Sequence, residues 1–66
     1  MFKQDVQNAI IGVIFKLKGE FTKEQVLNEL KKSITYENLE GLVDDNLKLL
    51  TMTGVIRKTK NNTYTN

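Results

Sequence analysis

The side chains best suited to contacting another molecule are two groups of cations. Arg57, Lys58 and Lys60 stand near the end of the chain without a neighbouring acid, and Lys31 and Lys32 form a second, smaller group. Lys and Arg bind nucleic acids mainly by neutralising backbone phosphates. Cations gathered on a short terminal segment therefore favour phosphate contacts. The alternative is that they keep an edge strand soluble and prevent edge-to-edge pairing of sheets.

Catalytic chemistry has little support in this sequence. The 66 residues include no His and no Cys, so the commonest general base, the thiol nucleophile and the usual zinc ligands are missing. Asp44 and Asp45 are adjacent, and neighbouring side chains on a helix point about 100° apart, so these carboxylates do not converge as an acid–base pair. No Gly-rich phosphate-binding loop is present. We therefore predict no enzymatic activity, no cofactor and no metal site.

The length and composition indicate a single domain over residues 1–66. A chain of this size buries only about 60% of its unfolded surface, which predicts modest stability. The absence of Cys fits a reducing compartment, so we expect a cytoplasmic protein. No apolar run approaches the roughly 20 residues of a membrane span, and the first residues lack a signal-peptide pattern. The formal net charge of +2 is too small to indicate a nucleic-acid binder by itself.

Apolar spacing predicts a first helix from about Lys3 to Lys18, which Gly19 ends. Its inward stripe contains Val6, Ala9, Ile10, Val13, Ile14 and Leu17. Glu20–Phe21 follows as a short extended segment that could supply a small strand.

The second helix has a clear start signal. Thr22 is a candidate N-cap and Gln25 stands at the N3 position, which together predict a capping box. Phe21 before the cap and Val26 in the first turn can form a hydrophobic staple. We expect this helix to end near Ser33.

The third helix is predicted to begin at an N-cap on Thr35 and to run to about Thr53, where Gly54 ends it. Asn46 falls within the inward stripe, so we expect its amide to be buried and bonded to nearby backbone. Gly41 lies in the helix interior and costs about 1 kcal/mol relative to Ala. The inward residues are Leu39, Leu42, Val43, Leu47 and Leu50.

A C-terminal hairpin is predicted, with strands near residues 55–60 and 63–66. Asn61-Asn62 can take the positive φ values that a type I′ turn needs. The register stays open, because a two-residue loop puts Tyr64 on the opposite face from Ile56, whereas a three-residue loop puts both on one face. We favour Ile56 and Tyr64 as the core pair.

This order of elements resembles the winged helix-turn-helix superfamily. The residues that carry the resemblance are Phe21-Thr22, which lead into helix 2, and the pattern Leu47-x-x-Leu50-x-x-x-Gly54-x-Ile56, which leads into the hairpin. The resemblance implies a mainly α (α+β) fold of three helices with a C-terminal β-hairpin wing. It also implies that helix 3 is the recognition helix. Many members bind DNA as transcription regulators, and others use the same fold to bind proteins.

Our first hypothesis is therefore a small DNA-binding winged helix-turn-helix protein that regulates transcription and binds double-stranded DNA. The wing cations would hold phosphates or the minor groove, neutral polar groups would position the tip of helix 3, and the lysines before it would contact the backbone. The candidate nucleic-acid-binding residues are Lys31, Lys32, Thr35, Tyr36, Asn38, Arg57, Lys58 and Lys60.

The charge of helix 3 opposes this hypothesis. Four acids, Glu37, Glu40, Asp44 and Asp45, stand against Lys48, which gives the segment a charge of −3. Carboxylates that face phosphates would weaken DNA binding. Our second hypothesis is therefore a protein–protein interaction module, which would use either these acids or an apolar face of helix 1.

That face of helix 1 contains Ile11 and Phe15, with Asn8 and Gly12 beside them, roughly opposite the inward stripe. Helix 2 or the hairpin could cover these residues. If neither does, Ile11 and Phe15 form a candidate interface, because clustered exposed apolar groups mark interaction surfaces. A symmetric homodimer through helix 1 is then possible.

Overall fold

The computed structural model describes residues 2–66, so Met1 of the predicted domain lies outside the described residues. These residues form three helices and a three-stranded antiparallel sheet, which confirms a mixed α+β fold that is mainly helical. The elements in chain order are α1 (Lys3–Lys16), β1 (Glu20–Phe21), α2 (Lys23–Lys31), α3 (Leu39–Met52), β2 (Arg57–Lys58) and β3 (Tyr64–Thr65).

The sheet has the order β1-β3-β2, so the last strand in sequence lies in the middle. Phe21 of β1 and Lys58 of β2 both stand opposite Tyr64 of β3. The rings of Phe21 and Tyr64 stack with their centroids 6.0 Å apart. The short strand expected at Glu20–Phe21 is therefore confirmed, and it joins the start of α2 to the hairpin.

The core lies between the three helices and the inner side of the sheet. Each helix buries one apolar stripe, as the spacing of its apolar residues predicts. The buried apolar residues are Val6, Ile10, Ile14, Phe21, Val26, Leu27, Leu30, Ile34, Leu39, Leu42, Val43, Leu47 and Ile56. Ala9, Val13, Leu17 and Leu50, which were also predicted to face inward, are partly buried and pack against this core.

The first helix is two residues shorter than predicted, with Leu17 as its C-cap and Gly19 turning the chain at φ +75°. The capping box at the start of α2 is confirmed. The Thr22 hydroxyl accepts from the Gln25 backbone N–H at 3.2 Å, and the Gln25 side chain accepts from the Thr22 N–H at 2.7 Å. The helix ends at Lys31, somewhat before the predicted Ser33.

The predicted start of helix 3 at Thr35 is wrong, because α3 begins at Leu39 with Asn38 as its N-cap residue. The segment before it buries Ile34 and half-buries Tyr36, which packs against the core. Alternate residues reach one side of a chain only when that chain is extended. Packing of these two side chains therefore holds residues 34–36 out of the helix.

The end of α3 follows the predicted glycine stop. Gly54 has a φ of +82°, its N–H bonds to the Thr51 carbonyl at 3.2 Å, and the Val55 N–H bonds to the Leu50 carbonyl at 3.0 Å. These two bonds form a Schellman motif, which needs a left-handed residue where Gly54 stands. Within α3 the buried Asn46 amide donates to the Leu42 carbonyl at 2.8 Å, as expected.

The hairpin has a three-residue loop, not the two-residue type I′ turn. Thr59 and Thr63 close the loop through a backbone hydrogen bond of 2.8 Å, and Asn62 is the non-glycine residue with positive φ, at 63°. This geometry fits a type I turn followed by one left-handed residue. The three-residue loop puts Ile56 and Tyr64 on one face, where Ile56 is buried in the core and Tyr64 is half-buried against it. The favoured core pair is confirmed.

Candidate functional site

The hairpin presents its three cations to solvent. Arg57 and Lys58 form β2, Lys60 lies in the loop, and all three side chains are exposed. None forms an ion pair with another residue of the range 2–66. The Lys58 ammonium lies 6.0 Å from the centre of the Tyr64 ring, at the outer limit of a cation–π contact.

The beginning of α2 faces the hairpin across a shallow depression. Thr22, Lys23 and Glu24 line one side, and hairpin residues line the other, namely Lys58, Asn61, Asn62, Thr63 and Tyr64. On the outer side of the sheet, the Glu20 carboxylate accepts a hydrogen bond of 3.0 Å from the Thr63 hydroxyl. Carboxylates of Glu20 and Glu24 therefore lie beside the hairpin cations.

Two acidic side chains of α3, Glu40 and Asp44, also lie beside this region. The Lys23 ammonium donates to Asp44 at 2.8 Å and to Glu40 at 3.1 Å. Both hydrogen bonds raise the pKa of Lys23 above its ordinary 10.5, and the bond to Asp44 has the larger effect. The hairpin, β1, the beginning of α2 and the two α3 acids bound by Lys23 together supply four cations and four carboxylates, so their formal charges sum to zero. The residues are Lys23, Arg57, Lys58, Lys60, Glu20, Glu24, Glu40 and Asp44.

Lys31 and Lys32 lie at the opposite end of α2. The helix separates Lys31 from Lys23 by about 12 Å at 1.5 Å per residue. Lys32 forms an ion pair with Glu29 at 3.1 Å, and this bond lowers the pKa of the Glu29 carboxyl below 4.5. The structure therefore does not join these two lysines with the hairpin cations into one positive surface.

The polar residues expected at the tip of helix 3 lie in the loop that precedes α3. Thr35, Tyr36, Glu37 and Asn38 surround a shallow, open hollow. Tyr36 is half-buried against the core, and Glu37 adds a carboxylate. Thr35 and Asn38 remain the exposed neutral groups of the predicted set, and they stand outside the helix that was expected to position them.

The outer side of α1 has no charged residue from Val6 to Phe15. Phe15 is 54% exposed and Gly12 is exposed, whereas Ile11 is half-buried. A Cβ placed on Gly12 would meet no atom within 4 Å. The hairpin and α2 therefore leave this face open at Gly12 and Phe15. We call Asn8, Ile11, Gly12 and Phe15 the outer α1 face.

A second exposed apolar group was not anticipated from the sequence. Leu49 and Met52 lie one turn apart near the end of α3, and Val55 follows the glycine turn. The spacing of Leu49 and Met52 places them off the inward stripe of α3, which is the signal that could have identified them.

Comparisons with known proteins add no relative: no protein-family model, curated protein or solved structure matches this chain. Among residues 2–66, no helix is both long enough and apolar enough to cross a membrane.

Proposed function

We propose that this chain is a winged-helix domain that acts as a protein–protein interaction module. The order α1-β1-α2-α3-β2-β3, with β3 between the other two strands, supports the winged-helix assignment. The resemblance implies the same order of helices and strands along the chain, including the short strand before α2. Because one fold serves many functions, the exposed surfaces decide between protein and DNA as the partner.

The observation that carries the proposal is the outer α1 face. Phe15 is 54% exposed after all the described elements have packed, and it lies one turn from the half-buried Ile11. From Ala9 to Phe15 the residues of α1 are apolar on every side, and a helix that is apolar all round is typically covered on more than one side. Only one side of α1 faces the core. The other side is therefore suited to a protein partner.

The acids of α3 support a protein interface less well. Lys23 already binds Glu40 and Asp44, which lowers the charge available to a basic partner. Asp45 points about 100° away from Asp44, and Glu37 lies in the preceding loop. The four carboxylates therefore do not share one surface, whereas the residues of the outer α1 face lie side by side.

Site-specific photo-crosslinking tests the proposal. The photoreactive residue p-benzoylphenylalanine replaces Phe15 in the chain expressed in its source organism, and adducts are identified by mass spectrometry. Phe2 is the matched control, because it is also phenylalanine and is 81% exposed. We expect protein adducts from position 15 well above those from position 2. Equal yields at both positions, or no protein adduct at position 15, would contradict the proposal.

A second candidate function, duplex DNA binding by a transcription regulator, is favoured by one observation. The hairpin cations are exposed and form no ion pair within residues 2–66, so they are free to meet phosphates. Carboxylates beside them and the distance to Lys31 oppose it. The contact would then rest on Arg57, Lys58 and Lys60, with little base readout by α3.

Titration of a fluorescent duplex at several salt concentrations tests this candidate. Replacing Arg57, Lys58 and Lys60 by Gln should weaken binding and reduce the salt slope by about 3, since each phosphate contact contributes about 0.9. The control replaces three α1-side lysines, Lys3, Lys16 and Lys18, with the same loss of charge. An equal loss in both variants, or no binding at low salt, would dismiss the DNA function.

A further inference from the structure

The outer α1 face has the spacing of a helix–helix seam. Asn8, Ile11, Gly12 and Phe15 stand at intervals of three, one and three residues, which places them on one stripe. The opposite stripe of α1, with Val6, Ile10 and Ile14, is fully buried in the core. The helix is therefore built to pack on two sides, and one side has no partner within the described chain.

We propose, resting on the interaction function above, that the partner is a second copy of this chain, whose α1 packs antiparallel across a two-fold axis. In that arrangement the midpoint falls between Ile11 and Gly12, so Ile11 of each copy packs over Gly12 of the other. The large Phe15 then stands opposite the smaller Asn8. The stripe is thus complementary to itself, which an isologous contact requires.

Gly12 gives independent support. Glycine is the poorest helix former except for proline, and a glycine inside a helix usually has a reason in packing or function. At Gly41 the Asn38 side chain would lie 2.7 Å from an added Cβ, whereas at Gly12 nothing lies within 4 Å. No contact within the described residues accounts for Gly12. Close approach of a second helix does account for it.

The charges at the ends of α1 select the antiparallel direction. Lys3 and Asp5 lie in the first turn of α1, where their charges offset each other, and Lys16 and Lys18 lie at and just beyond its last turn. Parallel packing would bring the C-terminal lysines of the two copies together, whereas antiparallel packing keeps them apart and places them near the end that contains Asp5. A helix of 14 residues offers a contact about 21 Å long, so we expect a small interface and a weak, reversible dimer.

Sedimentation equilibrium of the purified chain, from about 10 µM to about 1 mM, measures this association. We expect the mass to rise with concentration from 7.6 kDa towards twice that value. The Phe15→Glu variant should remain monomeric, so its measured mass should equal that of one chain at every concentration. Leu49→Glu, which places the same charge on the exposed apolar group of α3, should leave the association unchanged. A wild-type chain that stays monomeric, or loss of the dimer in Leu49→Glu alone, would overturn the proposal.

Gly12→Ala separates packing from simple folding effects. In the monomer Ala favours the helix, so the Tm at low concentration should rise. In the dimer the added methyl group occupies the space that Ile11 needs, so we expect at least a tenfold weaker association. A variant that is more stable and yet dimerises as tightly as the wild type would contradict the close approach.

The antiparallel direction has its own test, because the chain contains no Cys. With copper phenanthroline as the oxidant, an equimolar mixture of Gln4→Cys and Lys18→Cys chains, which keeps Asp5 and Lys16, should form the mixed disulfide faster than Gln4→Cys chains pair with themselves. Faster self-pairing would indicate parallel packing and overturn the arrangement. If the purified chain is monomeric but position 15 cross-links to another protein in cells, self-association is wrong and the interaction function stands. If neither occurs, both proposals are wrong.

Discussion

The Nζ atom of Lys23, in the first turn of α2, lies 2.8 Å from a carboxylate oxygen of Asp44 in the middle of α3. Glu40, one turn earlier on α3, binds the same ammonium group at 3.1 Å. One cation therefore holds two carboxylates that would otherwise repel each other. These two ion pairs of Lys23 join the beginning of α2 to α3 beside the hairpin.

Replacing Lys23 by Met, which keeps an unbranched side chain without the charge, should lower the Tm at neutral pH. Hydrogen bonds to Asp44 and then to Glu40 raise the pKa of Lys23 above 10.5, so its contribution is complete below pH 10.5 and is lost as the pH rises through the folded-state value. Thermal unfolding followed by circular dichroism should show a Tm difference that is present at neutral pH and shrinks in strong alkali.

The control for this experiment is Lys48→Met, which removes an α3 lysine that forms no ion pair within residues 2–66. We expect that variant to change the Tm little at any pH. A difference between wild type and Lys23→Met that is equally large at about pH 12 and at about pH 7 would show that charge is not its cause.

Gly41→Ala should stabilise the domain, although an added Cβ would lie 2.7 Å from the Asn38 side-chain oxygen. Asn38 is exposed and its side chain makes no capping hydrogen bond, so it can rotate away at little cost. Gly41 is the third residue of α3 and, contrary to the prediction, does not lie in the helix interior, so we expect less than the interior gain of about 1 kcal/mol in the free energy of unfolding, measured with urea. Asn38→Ala removes the clash, so the difference between the double variant and Asn38→Ala alone reports the gain at Gly41. A less stable Gly41→Ala protein would mean that Asn38 is fixed in place.

Thr22→Ala should cost about 1 kcal/mol in the free energy of unfolding, because it removes the side-chain cap of α2. The Gln25 backbone N–H would lose its 3.2 Å hydrogen bond to the Thr22 hydroxyl. Thr22→Ser keeps that hydroxyl and should retain most of the stability. Equal losses in the Ala and Ser variants would point to the Thr22 methyl group, and not to the cap.

Asn66→Ala should also destabilise the domain by about 1 kcal/mol. The Asn66 amide donates to the carbonyls of Leu17 at 2.9 Å and Ile14 at 3.2 Å, and so satisfies acceptors at the end of α1. Asn66→Asp should cost more, since a carboxylate cannot donate and faces the negative end of the helix dipole. Urea unfolding of the two variants ranks their stabilities. An Asp variant that is more stable than the Ala variant would contradict this account.

Local rules predicted the parts of the fold that local residues determine. The capping box at Thr22 and the glycine turn at Gly54 each depend on residues within a few positions, and both are present. The start of α3 depended on whether Ile34 could reach the core, which no local rule contains. Local spacing predicted Thr35 as the N-cap, and tertiary packing moved the start of α3 to Leu39, with Asn38 as the N-cap residue.

The candidate site was predicted less well, because it depends on distances between elements. Composition identified Lys31, Lys32 and the hairpin cations as two groups. Only the packing of α2 determines that the groups lie at opposite ends of that helix. The ion pairs of Lys23 with α3 likewise join residues far apart in sequence. The face at Phe15 was predictable, because helical spacing alone sets it opposite the core stripe.

The central position of β3 has a consequence for synthesis on the ribosome. Phe21 finds its strand partner at Tyr64, which is made 43 residues later. At a translation rate of about 5–20 residues per second, Tyr64 is added at least about 2 s after Phe21. The sheet therefore cannot close on the nascent chain before Tyr64 has been added.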